Sequence, residues 1–178
     1  MNTKLRINDF VIKFANINGS GSASANELFA RSIIRMGVPV SPRNIFPSNI
    51  QGMPTWYEVR VSEQGWLGRR GGCDMMVAMN PQTWDRDLAE LEPGGCLLYD
   101  STRRLPEDQF RADIRAFGIP LTALCNEAFD DTRQRQLMRN IMYVGALTAL
   151  LGIDPEVTGG LLAELYRGKS KLIESNQK

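Results

Sequence analysis

Residues 9–36 read DFVIKFANINGSGSASANELFARSIIRM, and this stretch decides the fold class. The segment from Asp9 to Ala15 is short, apolar and β-branched, which predicts a buried strand. From Glu27 to Met36, apolar residues recur with the period of a helix, and Gly37 follows as a residue that ends helices. Between these two segments, Asn16 to Asn26 is rich in glycine, serine and asparagine and predicts a loop.

Strand and helix signals alternate along the rest of the chain. The predicted strands are Val40–Phe46 at an edge, Thr55–Ser62 as a half-buried strand, Asp74–Met79, Cys96–Tyr99 and Ile119–Leu121, and the predicted helices are Pro81–Leu91, Pro106–Ala116, Asp131–Leu151 and Asp154–Tyr166. This alternation predicts one α/β domain over residues 1–178, with a polar tail over 169–178. We expect a three-layer, Rossmann-like open sheet with helices on both faces.

Charge and hydropathy exclude two classes of partner. The 178 residues contain 21 Lys and Arg against 20 Asp and Glu, so the basic excess typical of nucleic-acid binders is missing. There is no apolar run of about 18 residues, which argues against a transmembrane helix. The polar start of the chain lacks the apolar core of a signal peptide, so we expect a cytoplasmic protein.

The histidine and cysteine counts exclude several kinds of site. Histidine is absent, which rules out a Ser-His-Asp triad, a His-paired cysteine nucleophile and most zinc sites within the chain. The three cysteines, Cys73, Cys96 and Cys125, are widely spaced and are expected to be free thiols. An iron–sulfur cluster needs about four close thiolates, so the chain is not expected to carry one alone.

The first loop, from Asn16 to Ser24, is the leading candidate site. Its glycines allow a ligand to approach the backbone, and a helix N-terminus favours an anion such as phosphate. The third glycine of a dinucleotide fingerprint is replaced by Ser24, and there is no P-loop lysine. Two interpretations remain open: a loop that faces a ligand or a partner subunit, or a tight turn whose serines cap the helix.

Two further segments have two interpretations each. Asn49, Gln51 and Trp56 either contact a ligand or partner, or serve in turn capping and packing. The segment from Arg69 to Gly72 either holds a phosphate or forms a solvated turn.

Several segments together resemble one known family. They are Phe14–Ser24 (FANINGSGSAS), Phe46–Tyr57 (FPSNIQGMPTWY), Val59–Ser62 (VRVS), Met79–Trp84 (MNPQTW) and the Pro93–Gly95 turn followed by Asp100. This set is similar to the gamma section of 2-oxoacid:acceptor oxidoreductases, and most similar to the subtype that carries this section at the N-terminus of the alpha subunit, as in 2-oxoglutarate:ferredoxin enzymes. The resemblance covers nearly the whole chain.

The resemblance implies a part of an enzyme that converts a 2-oxoacid to acyl-coenzyme A and passes electrons to ferredoxin. Alpha and beta subunits would be the partners, and they would carry thiamine diphosphate and iron–sulfur clusters. This chain would contact coenzyme A and the other subunits, with no catalytic residue or metal ligand of its own. The candidate coenzyme-contacting residues are Asn18, Gly19, Ser20, Gly21, Ser22, Asn49 and Gln51.

The sequence departs from the commoner family pattern in two places. Ser22–Ser24 stands where the first loop is usually richer in glycine, and Gln51–Met53 stands where an Arg-Gly-Gly run is usual. A separate subunit and an excised domain both remain open. So do two other functions: a stand-alone nucleotide- or coenzyme-binding module, and a purely structural assembly subunit.

Overall fold

The computed structural model describes residues 7–48 and 50–165. Six strands form one sheet in the order β2-β3-β1-β4-β5-β6. The strands are β1 (Asp9–Ile17), β2 (Val40–Ile45), β3 (Pro54–Ser62), β4 (Cys73–Ala78), β5 (Leu91–Asp100) and β6 (Arg115–Ile119). The helices are α1 (Ser22–Arg35), α2 (Trp84–Glu90), α3 (Leu121–Ala128), α4 (Thr132–Leu151) and α5 (Pro155–Leu165), with one-turn 3-10 helices at Pro81–Thr83 and Glu107–Gln109.

The sheet is mixed, with β1 at the junction of its two halves. Strand β1 runs parallel to β4, and β4, β5 and β6 continue the parallel half. On its other side β1 pairs antiparallel with β3, which pairs antiparallel with β2. The edge position predicted for the proline-containing strand β2 is confirmed.

Helices cover both faces of the sheet, as predicted. Strand β1 shows why, because alternate side chains point to opposite faces. Ile12 and Phe14 pack in the larger core with residues of α1, α3, α4 and α5. Val11 and Ala15 pack in the smaller core with Leu88 of α2. The predicted α/β sheet with a helical layer on each side is therefore confirmed.

The first loop is shorter than predicted, because α1 begins at Ser22 and not at Glu27. The backbone turns within a few residues because Gly19 and Gly21 both adopt positive φ, at 85° and 78°. The small residues that follow then fit the first helical turns, where Ala25 is buried against the sheet.

Strand β3 was predicted to be half-buried, and this prediction was wrong. Its polar face is buried because each charge has a partner. Glu58 lies 3.5 Å from the ammonium of Lys13 and 3.0 Å from the guanidinium of Arg43, and Arg60 pairs with Asp9 at 2.5 Å. Alternation of polar and apolar residues predicted solvent on one side, whereas ion pairs fill that side.

The region after β5 also differs from the prediction. The helix expected over Pro106–Ala116 is only the one-turn helix Glu107–Gln109, and the final strand lies upstream of the expected Ile119–Leu121. Parallel pairing with β5 holds β6 in place, from Cys96 opposite Arg115 to Asp100 opposite Ile119. Helix α3, which was not predicted, begins directly after this strand.

The last two helices were predicted well because their ends carry local signals. Asp131 caps α4 by accepting a hydrogen bond from the N–H of Gln134 at 2.7 Å, and Gly152 ends the helix with a φ of 65°. Helix α5 begins at Pro155, as expected. The predicted end at Tyr166 and the polar tail lie outside the described residues.

Candidate functional site: the loop between β1 and α1

The loop after β1 lies where the connections of the sheet change direction. Strand β1 leads to α1 on one face, and its parallel neighbour β4 leads to α2 on the other face. The carboxyl ends of two such strands open a crevice between their loops, and open α/β sheets bind ligands at this point.

Two glycines shape this loop. The N–H of Ser20 donates to the carbonyl of Ile17 at 3.1 Å and closes the turn. A Cβ at Gly19 would lie 2.8 Å from Cγ of Gln51, and a Cβ at Gly21 would lie 2.5 Å from Cδ2 of Leu137. Both positions therefore favour glycine, for its positive φ and for the close approach of Gln51 and Leu137.

The N-terminus of α1 has backbone N–H groups that can donate to a hydrogen-bond acceptor on a ligand. Gly21 precedes the helix, and no side chain within the described residues caps its first turn. The first turn also contains no acidic side chain. The free N–H groups and the helix dipole favour an anionic or strongly accepting group here.

The segment 50–53 is attached to this loop through Asn18. The N–H of Asn18 donates to the carbonyl of Met53 at 2.9 Å, and its carbonyl accepts from the N–H of Gly52 at 3.0 Å. The side-chain amide of Asn18 donates to the carbonyl of Ile50 at 3.2 Å. The structure thus brings together Asn18, Gly19 and Gln51 of the predicted set, while Asn49 lies outside the described residues.

The crevice beside the loop has a volume of about 370 Å³. Among the described residues that line it, none carries a charge. Asn16, Asn26 and Asn44 contribute amides, and Phe46 and Tyr57 contribute aromatic rings. Burial raises the pKa of Tyr57 to about 12, so its hydroxyl stays neutral. The crevice suits uncharged polar groups, with the helix N-terminus as its anion-favouring end.

Two buried polar atoms, one on a residue that lines the crevice and one in the loop, lack a protein partner. Nδ2 of Asn16 and Oγ of Ser20 have no hydrogen-bond partner among the described residues. Both residues are almost fully buried, at 3% and 4% exposure. Unpaired buried polar atoms cost free energy, and a ligand or water molecule with polar atoms would offset that cost. The loop and crevice therefore offer unpaired polar atoms to a polar ligand.

A buried hydrogen-bond network holds the crevice from the α2 side. The indole N–H of Trp56 donates to Oδ1 of Asp87 at 2.7 Å, and the hydroxyl of Thr83 donates to Oδ2 at 2.6 Å. The side-chain amide of Asn80 donates to the carbonyl of Asn16 at 3.3 Å. Burial raises the pKa of Asp87, and these two hydrogen bonds oppose the shift. Trp56 is 4% exposed and also lines the crevice.

Hydrogen bonds from α4 also reach this loop. The side-chain amide of Asn140 donates to the carbonyl of Ser20 at 2.9 Å, and the hydroxyl of Tyr143 donates to Oδ1 of Asn26 at 2.7 Å. These contacts and Asp87 were missed by sequence reasoning. A usable signal did exist, because Asn140 and Tyr143 are polar residues on the side of α4 that faces the core.

The arginine pair at 69–70 lies away from the crevice. Arg70 pairs with Asp74, and Arg69 is exposed beside a second cavity of about 750 Å³. Lys13 also lines that second cavity and pairs with Glu90. The solvated-turn interpretation fits this placement better than a phosphate site.

Residues 7–48 and 50–165 lack a metal-binding group and a membrane-spanning helix. They contain no group of three or more His, Cys, Asp or Glu side chains that could hold a metal ion. None of the helices in these ranges is both long and apolar enough to cross a bilayer.

Curated relatives match along almost the whole chain. It is 20% identical to the 2-oxoglutarate oxidoreductase subunit KorA of Mycobacterium tuberculosis, over 96% of this chain and 30% of KorA. It is 24% identical to the ketoisovalerate oxidoreductase subunit VorA of Methanothermobacter marburgensis, over 94% of this chain and 34% of VorA. The chain therefore spans about a third of the length of these relatives.

Solved structures show the same fold. The 2-oxoglutarate:ferredoxin oxidoreductase of Magnetococcus marinus superposes with a TM-score of 0.82 at 24% identity, over 96% of this chain and 29% of that one. The keto/oxoacid ferredoxin oxidoreductase gamma subunit of Geobacter sulfurreducens gives 0.71 at 24% identity, over 94% and 92% of the two chains. The pyruvate oxidoreductase subunit PORC of Thermotoga maritima gives 0.75 at 18% identity, over 96% and 92%.

A family model covers nearly the whole chain as well. The model described as "Pyruvate ferredoxin/flavodoxin oxidoreductase" matches residues 11–178. By this match the protein belongs to the pyruvate ferredoxin/flavodoxin oxidoreductase family, and it has the fold of the gamma subunits of 2-oxoacid:ferredoxin oxidoreductases.

Proposed function

We propose that this chain is a single gamma-type domain of a 2-oxoacid:ferredoxin oxidoreductase, and that it helps to place coenzyme A. The assembly would decarboxylate a 2-oxoacid, form an acyl-coenzyme A and pass electrons to ferredoxin. The observation that carries this proposal is the crevice at the head of α1, where a two-glycine loop opens beside buried, unpaired polar atoms. Family membership supplies the reaction class.

We favour 2-oxoglutarate as the 2-oxoacid. The Magnetococcus enzyme was solved with 2-oxoglutarate, coenzyme A and succinyl-CoA bound, and KorA is named for 2-oxoglutarate. VorA, at similar identity, is named for ketoisovalerate. Substrate choice in our proposal rests with the partner chains, because the crevice at α1 is assigned to the coenzyme.

The residues of the loop suggest how the coenzyme would be held. The free N–H groups at the start of α1 would donate hydrogen bonds to a phosphate oxygen, with Gly19 and Gly21 allowing close approach. The amides of Asn16 and Asn44 would bind uncharged polar groups. Because the described lining carries no cation, we propose that a partner chain supplies the positive charge for the remaining phosphates.

Thiamine diphosphate and iron–sulfur clusters belong to the alpha and beta partners in this proposal. They supply decarboxylation and electron transfer when bound. Within the described residues, no side-chain group suits a cluster or another metal ion. The cytoplasm is our proposed location, supported by free rather than paired cysteines.

The surface around the crevice favours a partner-dependent role over a stand-alone module. Phe46, Ile50 and Met53 are exposed at 49%, 66% and 44%. Ile50 and Met53 lie on the segment 50–53, which is attached to the candidate loop, and Phe46 lines the crevice. Exposed apolar side chains grouped around a site are typical of surfaces that another chain covers.

Co-purification tests the proposal. The tagged chain is isolated from its native cells and the accompanying proteins are identified by mass spectrometry. We expect thiamine-binding and cluster-binding chains, and reduction of viologen that requires both a 2-oxoacid and coenzyme A. A chain that emerges alone and monodisperse would overturn the proposal in favour of a stand-alone module. If partner chains co-purify but substitutions in the loop leave viologen reduction unchanged, the purely structural role is favoured.

A further inference from the structure

Three residues of helix α4 contact the candidate loop or the first turns of α1. Leu137, Asn140 and Tyr143 follow one another at a spacing of three residues, so each lies next to the following one on the helix surface. Asn140 binds the backbone carbonyl of Ser20 inside the loop, at 2.9 Å. Tyr143 binds Oδ1 of Asn26 in α1, at 2.7 Å.

These contacts are buried, which makes them strong constraints. Asn140 is 1% exposed and Tyr143 is fully buried. Their partners Ser20 and Asn26 are 4% and 2% exposed. In such surroundings the loss of one partner leaves the other buried and unpaired, because water cannot replace it easily.

Leu137 completes the contact from the same helix. Its Cδ2 occupies the space that a Cβ of Gly21 would need. The loop is therefore held by a hydrogen bond at Ser20 and by packing at Gly21, while Tyr143 fixes the first turns of α1 through Asn26. The N–H groups offered to a ligand lie between these points.

We infer that Asn140 and Tyr143 are positioning residues, which hold the loop between β1 and α1 in the conformation that binds coenzyme A. The inference rests on the proposed function. Neither residue is expected to touch the reacting atoms. Their role is to fix the direction of the loop N–H groups, so that the coenzyme does not have to order the loop when it binds.

A matched control lies on the same helix. Thr148 is 5% exposed, and its hydroxyl donates to the carbonyl of Val144 at 2.9 Å within α4. Thr148→Val removes one buried hydrogen bond from α4 without removing a contact to the loop. It therefore reports what a similar loss of helix packing does by itself.

The test uses the assembly co-purified with each variant: Asn140→Asp, Tyr143→Phe, Thr148→Val and Gly21→Ala. Steady-state viologen reduction gives kcat and the KM values for coenzyme A and for the 2-oxoacid. We expect Asn140→Asp and Tyr143→Phe to raise the KM for coenzyme A by on the order of tenfold. Their kcat and 2-oxoacid KM should stay within about twofold of the wild type, and Thr148→Val should change none of the three.

The outcomes separate this inference from the proposed function. If Gly21→Ala leaves the KM for coenzyme A unchanged, the loop does not serve the coenzyme and the proposed function is wrong. If Gly21→Ala raises it and the two α4 variants do not, the positioning role is wrong. An equal rise in Thr148→Val would also overturn it, because general packing of α4 would then be the cause.

Discussion

Substitution of Gly21 by alanine should destabilise the protein through two separable effects. Gly21 has a φ of 78°, which L-residues with a side chain adopt at a cost. The added methyl group would also lie 2.5 Å from Cδ2 of Leu137, well inside contact distance. Gly37, at the other end of α1, has a φ of 88° with nothing within 4 Å of its virtual Cβ, so Gly37→Ala reports the backbone effect alone.

The magnitudes follow from these two effects. Positive φ costs a non-glycine residue roughly 1–2 kcal/mol. Overpacking costs about 1–3 kcal/mol, and we take about 1 kcal/mol because Leu137 is partly exposed and can move. The free energy of unfolding should therefore fall by about 2–3 kcal/mol in Gly21→Ala and by about 1–2 kcal/mol in Gly37→Ala.

Urea denaturation of both variants, with Leu137→Ala as the third member of a double-mutant cycle, measures this directly. In the Leu137→Ala background, Gly21→Ala should cost about 1 kcal/mol less than in the wild type. Equal costs for Gly21→Ala and Gly37→Ala, with no coupling to Leu137, would refute the close contact that defines this loop.

Two further predictions concern buried charges on the α2 side of the sheet. Burial raises the pKa of Asp87 in the folded protein above its value in the unfolded chain. Protonated Asp87 therefore stabilises the fold below about pH 4, and this contribution is lost as the pH rises through the raised pKa. The difference in free energy of unfolding between Asp87→Asn and the wild type should therefore favour the variant more at pH 7 than at pH 4. Denaturation curves that show the opposite trend would contradict the effect of burial on Asp87. Lys13→Met should lower the free energy of unfolding by about 1–3 kcal/mol, because Glu58 and Glu90 lose their shared cation while Arg43 and Arg86 remain as partners. The exposed control Arg31→Ala should change it by less than about 0.5 kcal/mol, and a similar small change for Lys13→Met would show that the buried pairs do not matter.

The elements with local signals could be predicted from the sequence. Helix α4 was predicted because an Asp cap, an apolar side and a terminal Gly all lie within its own segment. Strand β6 was not, because its exposed residues carry no alternation and its position is set by pairing with β5. The burial of β3 was missed for a similar reason, since Glu58 is paired with Lys13, 45 positions earlier in the chain.

The sequence likewise predicts one part of the candidate site and not the other. The loop could be recognised because glycine, serine and the start of a helix lie together in the sequence. Its supports could not, because Asn140 and Ser20 are 120 residues apart, and Tyr143 and Asn26 are 117 apart. Asp87 pairs with Trp56 across 31 residues. Such contacts exist only once the sheet and its helices have assembled.

Amide hydrogen exchange of the co-purified assembly, with and without coenzyme A, tests the central claim most directly. Exchange reports local opening of the backbone, and a ligand held by loop N–H groups slows it. We predict that coenzyme A protects residues 18–24, while the distant surface loop at residues 64–72 stays unchanged. An assembly that requires coenzyme A for turnover, yet shows no protection at residues 18–24, would contradict the assignment of the coenzyme to this loop.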